Sequence, residues 1–260
     1  MNPYYGSAVL AQLQEELWVV ERRYNSLLLA FTRHRFENDE AREFAQHGFM
    51  RRLGTLRRCI ENVFAIIPPD TVKVPDRPIL HDAQINIQAF FANVYGSVDN
   101  LAWIWVFERG LADTIPRNRV GFRAHHTEVR STLSTEFREY LQTLDPWMDY
   151  IIEYRDALAH RIPLYVPPGG VPKEHANAYN ELSRQMTDAL YIREDGFEYE
   201  RLAIQQEQLL VFQPLITHSV RETTAHFRFH VQMLTDFLTI EEIGHKMLDE
   251  LNRNTARGAG

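Results

Sequence analysis

Apolar residues recur at Val9, Leu10, Leu13, Leu17, Val20, Tyr24, Leu27, Leu28 and Phe31. That is the i, i+3, i+4, i+7 stripe of an amphipathic helix, and Ser7 can cap its start. Asn38-Asp39 opens a second helix, carried through Phe44, Phe49, Leu53, Leu56, Ile60, Val63 and Phe64 to Ile67, where Pro68-Pro69 stops it. Pro75 and Pro78 predict a loop, and Asp82 predicts the cap of a third helix over 83–109. Phe90, Phe91, Val94, Val98, Leu101, Trp103, Ile104, Trp105 and Val106 cover most sides of that helix, which places it at the centre of the molecule. A loop with Pro116 and Gly121 leads to a fourth helix over 126–144. Asp145-Pro146 caps and starts a fifth, which ends at 162 before Pro163. Pro167-Pro168-Gly169-Gly170 is a loop, followed by a polar helix over 173–191. A hairpin is expected from 210–217 and 225–229 around a polar turn at 221–224, then a closing helix over 231–251.

Short connections between long helices imply antiparallel neighbours. The fold expected is mainly α: one antiparallel helical bundle over 1–260, with at most one small β-hairpin near 209–230. Within it, an N-terminal helical hairpin spans 7–67, a core spans about 80–165, and a helix–hairpin–helix unit spans 173–253. No internal repeat or low-complexity tract interrupts the pattern.

Composition narrows the picture further. An apolar fraction of 45% with 24% charged residues is ordinary for a chain that buries a core. Cys59 is the lone cysteine, so no internal disulfide forms; its place on a periodic helix assigns it to packing, and its isolation fits a reducing compartment. The start, Met1-Asn2-Pro3-Tyr4-Tyr5-Gly6, lacks the basic and apolar regions of a signal peptide. No apolar run approaches the ~20 residues of a membrane span. A cytoplasmic protein without membrane attachment is the expectation. The formal charge of −7 argues against a general nucleic-acid coat, but leaves room for a local basic groove.

Candidate chemistry lies on the fifth helix. At ~100° per residue, Trp147, Met148, Ile151, Leu158, Ala159 and Ile162 gather on one side with Arg155 among them. Asp149, Glu153, Asp156 and His160 gather on the other. A guanidinium on an apolar face needs a partner. On the third helix Asp99 shares an apolar stripe with Phe91, Tyr95, Ala102, Trp103 and Val106, so Arg155 and Asp99 are expected to face each other, with Tyr95 in support. Asp156 and His160 are i, i+4 neighbours, and the helix C-terminus favours the protonated imidazole, a group able to exchange a proton near neutral pH. Two readings stand side by side: a buried structural ion pair with a surface histidine, and a catalytic or formerly catalytic motif.

The run Arg155-Asp156-Ala157-Leu158-Ala159-His160 resembles the HEPN superfamily signature, an arginine and a histidine four to six residues apart with Asn, Asp or His after the arginine. The resemblance covers about residues 80–165. It implies a helical bundle that dimerises so that two motifs share a cleft, and a metal-independent endoribonuclease without a cofactor, of the kind used in toxin–antitoxin and antiviral systems. RNA would be the substrate and an inhibitory protein a partner. His160 would act as general acid or base, Arg155 would stabilise the phosphorane oxygens, and Asp156 would position. The alternative within the same ancestry is a catalytically silent module that binds a protein or RNA. A sub-group carries a tyrosine two residues past the histidine; Ile162 stands there in this chain, so that sub-group's regulation is not implied. Arg42…His47, Arg119…His125 or His126, and Arg221…His226 satisfy the spacing too, but lack the same context.

Other groups invite weaker readings. Arg117, Arg119 and Arg123, with Arg130, make the loop before the fourth helix locally basic and are candidates to track an RNA backbone, against the reading of a solvated loop. His125, His126 and Glu128 hold metal-type donors, but adjacent histidines on a helix diverge. His226 and His230, with His218 nearby, are expected on a strand, too far apart to chelate easily. Arg51, Arg52, Arg57 and Arg58 read as a solvated face, and Trp103-Ile104-Trp105 as core. No glycine-rich phosphate loop and no Gly-x-Ser-x-Gly elbow occurs.

Overall fold

The computed structural model of the chain describes residues 4–219 and 226–255, with the side chains of 254 and 255 outside the description. The helices are α1 (Ser7–Arg33), α2 (Asp39–Glu43), α3 (Met50–Ile66), α4 (Arg77–Glu108), α5 (Thr127–Arg130), α6 (Thr135–Thr143), α7 (Asp145–His160), α8 (Ala176–Tyr191), α9 (Gly196–Glu207) and α10 (Phe229–Thr255). A two-stranded antiparallel sheet pairs β1 (Leu215–Ile216) with β2 (Phe227–Arg228), Leu215 opposite Arg228 and Ile216 opposite Phe227. The molecule is mainly α, as its apolar periodicity predicts. Among the described residues no helix is long and apolar enough to cross a membrane.

α4 is the axis of the bundle. It packs against α2, α3, α7 and α10, and is buried from Leu80 through Phe90, Phe91, Val94 and Leu101 to Val106. Trp105 is fully covered and donates its indole N–H to Thr132 Oγ1 at 2.8 Å, while Trp103 is half-buried and stacked on Phe107. Cys59 is buried in the same core.

Several boundaries differ from the sequence expectation. Gly6, not Ser7, occupies the cap of α1, and no side chain caps it. Asn38 does cap α2, its Oδ1 accepting from Ala41 N at 2.9 Å. Between α2 and α3 lies a π-helical turn, Phe44–Phe49; a five-residue step between those two phenylalanines keeps both rings on the core, which a regular α-turn would not. α4 begins at Arg77 rather than 83, because Pro78 sits in its first turn, where its missing N–H costs nothing. The fourth helix is broken in two. Ser134 Oγ accepts from Phe137 N at 3.2 Å and caps α6, while Glu250 of α10 accepts from Ser134 N at 2.6 Å and from Ser134 Oγ at 2.7 Å. α7 ends at His160, not 162, and α9 was not foreseen.

The expected hairpin is shorter than 210–217 and 225–229, since the loop after α7 takes part of its pairing: Tyr165 bridges Thr217 and Gly170 bridges Val211. The turn at 221–224 lies outside the described residues. α10 begins at Phe229, so His230 is helical rather than in a strand. Its Nε2 lies 2.6 Å from Ile67 O, and burial depresses its pKa to about 4.

α7 is tied to α10 by Asp236, a fully buried carboxylate that the sequence pattern did not single out. It accepts from Trp147 Nε1 at 2.8 Å, Gln232 Nε2 at 2.8 Å and Tyr150 Oη at 3.3 Å. With three neutral donors and no cation among the described residues bonded to it, burial pushes its pKa up to about 7. The folded state therefore holds a proton that the unfolded state releases near pH 4, and the contribution of Asp236 to stability falls as pH rises from about 4 to 7. His230 acts in the opposite direction over about pH 4 to 6.5, but it cancels when a variant is compared with the parent. Asp236→Asn should therefore gain on wild type between pH 5 and pH 8 by on the order of 2 kcal/mol, read from urea melts at several pH values. A stability difference that stays flat over that range would show that the carboxylate is ionised throughout.

Candidate functional site

α7 presents Met148, Ile151, Tyr154 and Ala157 to the core, with Tyr154 stacked on Phe91 at 5.2 Å between ring centroids. Tyr154 takes the centre of the buried face, so Arg155 lies about 100° further round, at its edge. This corrects the expectation of an arginine in mid-core: its side chain is 37% exposed, and Ala159 and Ile162 face solvent.

Arg155 Nη1 donates to Asp156 Oδ1 at 2.8 Å, and its guanidinium carbon lies 5.0 Å from the centroid of the Tyr95 ring, within cation–π range. The expected direct pair with Asp99 is absent; among the described residues Asp99 has no ion pair within 4.0 Å, and Asp156 takes its place. Arg155 and Asp99 still share a neighbourhood through Tyr95, whose hydroxyl sits beside the Asp99 carboxyl one helical turn on. Burial pushes Asp99 up to about 6, against the opposing pull of Arg155, Arg52, Tyr95 and Arg123. Three arginines from three different elements thus act at longer range on one half-buried carboxyl.

His160 closes α7, exposed in its last turn. Asp156 and His160 are surface neighbours one turn apart, but Asp156 accepts its hydrogen bond from Arg155, and among the described residues none joins it to His160. The structure therefore brings Arg155, Asp156, Tyr95 and Asp99 together, and leaves the imidazole open to solvent on the same end of the helix.

The loop arginines disperse. Arg117 lies over the Trp103 ring at 5.6 Å, Arg119 pairs with Glu128 at 3.7 Å, and Arg123 pairs with Asp149 at 3.8 Å. Of the three, only Arg123 reaches the candidate site. With Tyr95, Asp99, His126 and Trp147 it lines a cleft of about 20 Å³, room for roughly one water. His126 fits there because residue 121 is glycine: a Cβ would come within 2.6 Å of the imidazole. Burial and the neighbouring His125 lower its pKa. Arg130 is no part of a solvated loop but is buried, bonded to Phe122 O, Leu141 O and Asp145. His218 is buried beside Tyr154 and 3.8 Å from Glu153, and His226 is exposed. Among the described residues no group of three His, Cys, Asp or Glu is placed to hold a metal.

Arg52 is the residue that sequence reasoning misplaced. Instead of facing solvent with Arg51 and Arg58, it folds over α4, where Nε donates to Asn100 Oδ1 at 2.9 Å and Nη1 to Asn93 Oδ1 at 3.1 Å. Gly96 was the available signal, since glycine inside a helix costs ~1 kcal/mol and needs a reason. Comparison of the chain with protein-family profiles, with curated proteins and with solved structures finds no match.

Proposed function

We propose that this chain is a HEPN-like, metal-independent endoribonuclease whose centre is Arg155, Asp156 and His160, working as a homodimer in which two copies of the motif share one cleft. The observation that carries the reading is the position of Arg155: at the lip of the α4–α7 seam, oriented by Tyr95 and Asp156, and 37% exposed, so that it can meet a phosphate without unfolding its surroundings. A guanidinium held in this way meets a phosphorane without reorganising first.

The ribose 2′-hydroxyl attacks the adjacent phosphorus and loses its proton to a base, while the 5′-oxygen leaves with a proton from an acid. His160 fills one of these roles in each copy, and Arg155 neutralises the equatorial oxygens. The products carry a 2′,3′-cyclic phosphate and a 5′-hydroxyl. RNA is the substrate, and an inhibitory protein that covers the cleft fits the toxin–antitoxin or defence setting in which such enzymes work. One observation favours the second reading, a silent module that binds protein or RNA: Asp156 already neutralises Arg155, and among the described residues no carboxylate orients His160.

The test is incubation of wild-type protein with single-stranded RNA in excess EDTA, followed by analysis of the new ends. The proposal expects cleavage with 2′,3′-cyclic phosphate ends. Cleavage only with added metal, or 3′-hydroxyl ends, would reject it, and no cleavage across varied RNAs would favour the silent module.

A further inference from the structure

Arg52 stands in the first turn of α3, directly after the π-helical turn Phe44–Phe49. Two glycines make its seat. A Cβ at Gly96 of α4 would overlap the Arg52 guanidinium, and one at Gly48 would come within 2.9 Å of the Asn100 side chain. One of the two amides is itself fixed in orientation by a further bond. Asn93 gives its N–H to Ala89 O at 2.8 Å, which leaves Oδ1 turned to Arg52. Asn100 Oδ1 accepts from Arg52 Nε.

Arg52 is thus a half-buried guanidinium clamped by two neutral groups, with no carboxylate within 4.0 Å among the described residues. The chain does not lack acids, with 35 Asp and Glu against 28 Lys and Arg. A cation drawn partly out of water with no carboxylate bonded to it carries a cost. A purely structural link between α3 and α4 could be made by a neutral side chain. Among the described residues two of the five guanidinium N–H groups are used, and three remain. Its charge is also felt at the Asp99 carboxyl, as are those of Arg155 and Arg123.

We infer that Arg52 is an anion-binding residue, held by Asn93, Asn100 and Gly96 in the α3–α4 seam to receive a phosphate oxygen on the N–H groups that the two amides leave unused. A guanidinium fork matches two phosphate oxygens, and its immobilisation lowers the entropy lost on binding. Identifying the anion as a phosphodiester of an RNA strand rests on the ribonuclease reading above; binding of a phosphate group does not. On that reading Arg155 serves the reacting phosphate and Arg52 a neighbouring one, which fixes the register of the strand.

Two titrations of the full-length protein test this. In the first, inorganic phosphate is added while the Arg52 Nε resonance is followed by NMR; a saturable shift is expected, and an unmoved resonance overturns the proposal. In the second, a single-stranded 2′-O-methyl oligouridylate, which has no 2′-hydroxyl to react, is bound at several salt concentrations. Arg52→Gln should weaken binding ~10-fold or more at low salt and reduce the slope of log affinity against log salt by about one. Arg52→Lys should keep the slope and lose part of the affinity. Equal affinity and slope in a folded Arg52→Gln protein overturns the proposal; if that variant does not fold, the phosphate titration of wild type decides alone. Weakened binding by Arg52→Gln alongside a wild type that cleaves no RNA would uphold the anion site and reject the ribonuclease. Unchanged binding alongside cleavage lost in a His160 variant would do the reverse.

Discussion

Replacing Arg130 with alanine is expected to lower the free energy of unfolding by ~3 kcal/mol. Its guanidinium is buried, with Nε at 2.8 Å and Nη2 at 2.6 Å from Phe122 O, and both terminal nitrogens engage the Asp145 carboxylate. A third carbonyl, Leu141 O, completes the shell. These bonds join the loop before α5, the end of α6 and the first residue of α7, so they set where α7 begins and hence where its far end presents Arg155. Alanine removes every donor at once and leaves Asp145 unpaired at a partly covered site. Arg130→Lys cannot span the same acceptors, and should recover less than half of the loss. Chemical denaturation measures both. A loss below ~1 kcal/mol for Arg130→Ala would mean that water replaces the guanidinium at little cost, as at an exposed pair.

Where local pattern and burial agree, the sequence is legible. The apolar residues between Phe90 and Val106 cover most sides of a helix, which marks it as central, and α4 is central. The spacing of Tyr95 and Asp99 placed both on one stripe; Tyr95 does meet Arg155 there, whereas Asp99 does not pair with it and Asp156 does. α9 escaped notice because its large apolar residues Phe197 and Ile204 face solvent, with Leu202 alone fully buried, so its periodicity points nowhere. The break between α5 and α6 is imposed from a distance by Glu250, and no local signal announces a partner 116 residues away. Arg155 was misjudged by one step of the wheel, because Tyr154 is tyrosine by name and core by position. Arg52 was lost among four arginines on one helix. Only the helix opposite, through Gly96, Asn93 and Asn100, distinguishes it from its neighbours.

The second large effect is on catalysis, and it rests on one imidazole. His160 is exposed at the end of α7, so His160→Ala should change stability by no more than the ~0.5 kcal/mol usual for surface positions. On the proposed mechanism the same substitution removes the proton-transfer group from both copies of a shared cleft. Loss of a general acid or base costs ~100-fold or more in rate. Arg155, Tyr95 and Asp156 would stay in place, since none of them bonds His160. The most direct test of the central claim is therefore the rate of single-stranded RNA cleavage in EDTA by His160→Ala and by wild type, with both proteins shown by thermal melting to be equally folded. The account predicts cleavage by wild type and a rate lower by ~100-fold or more in the variant; equal rates in the two proteins would contradict it.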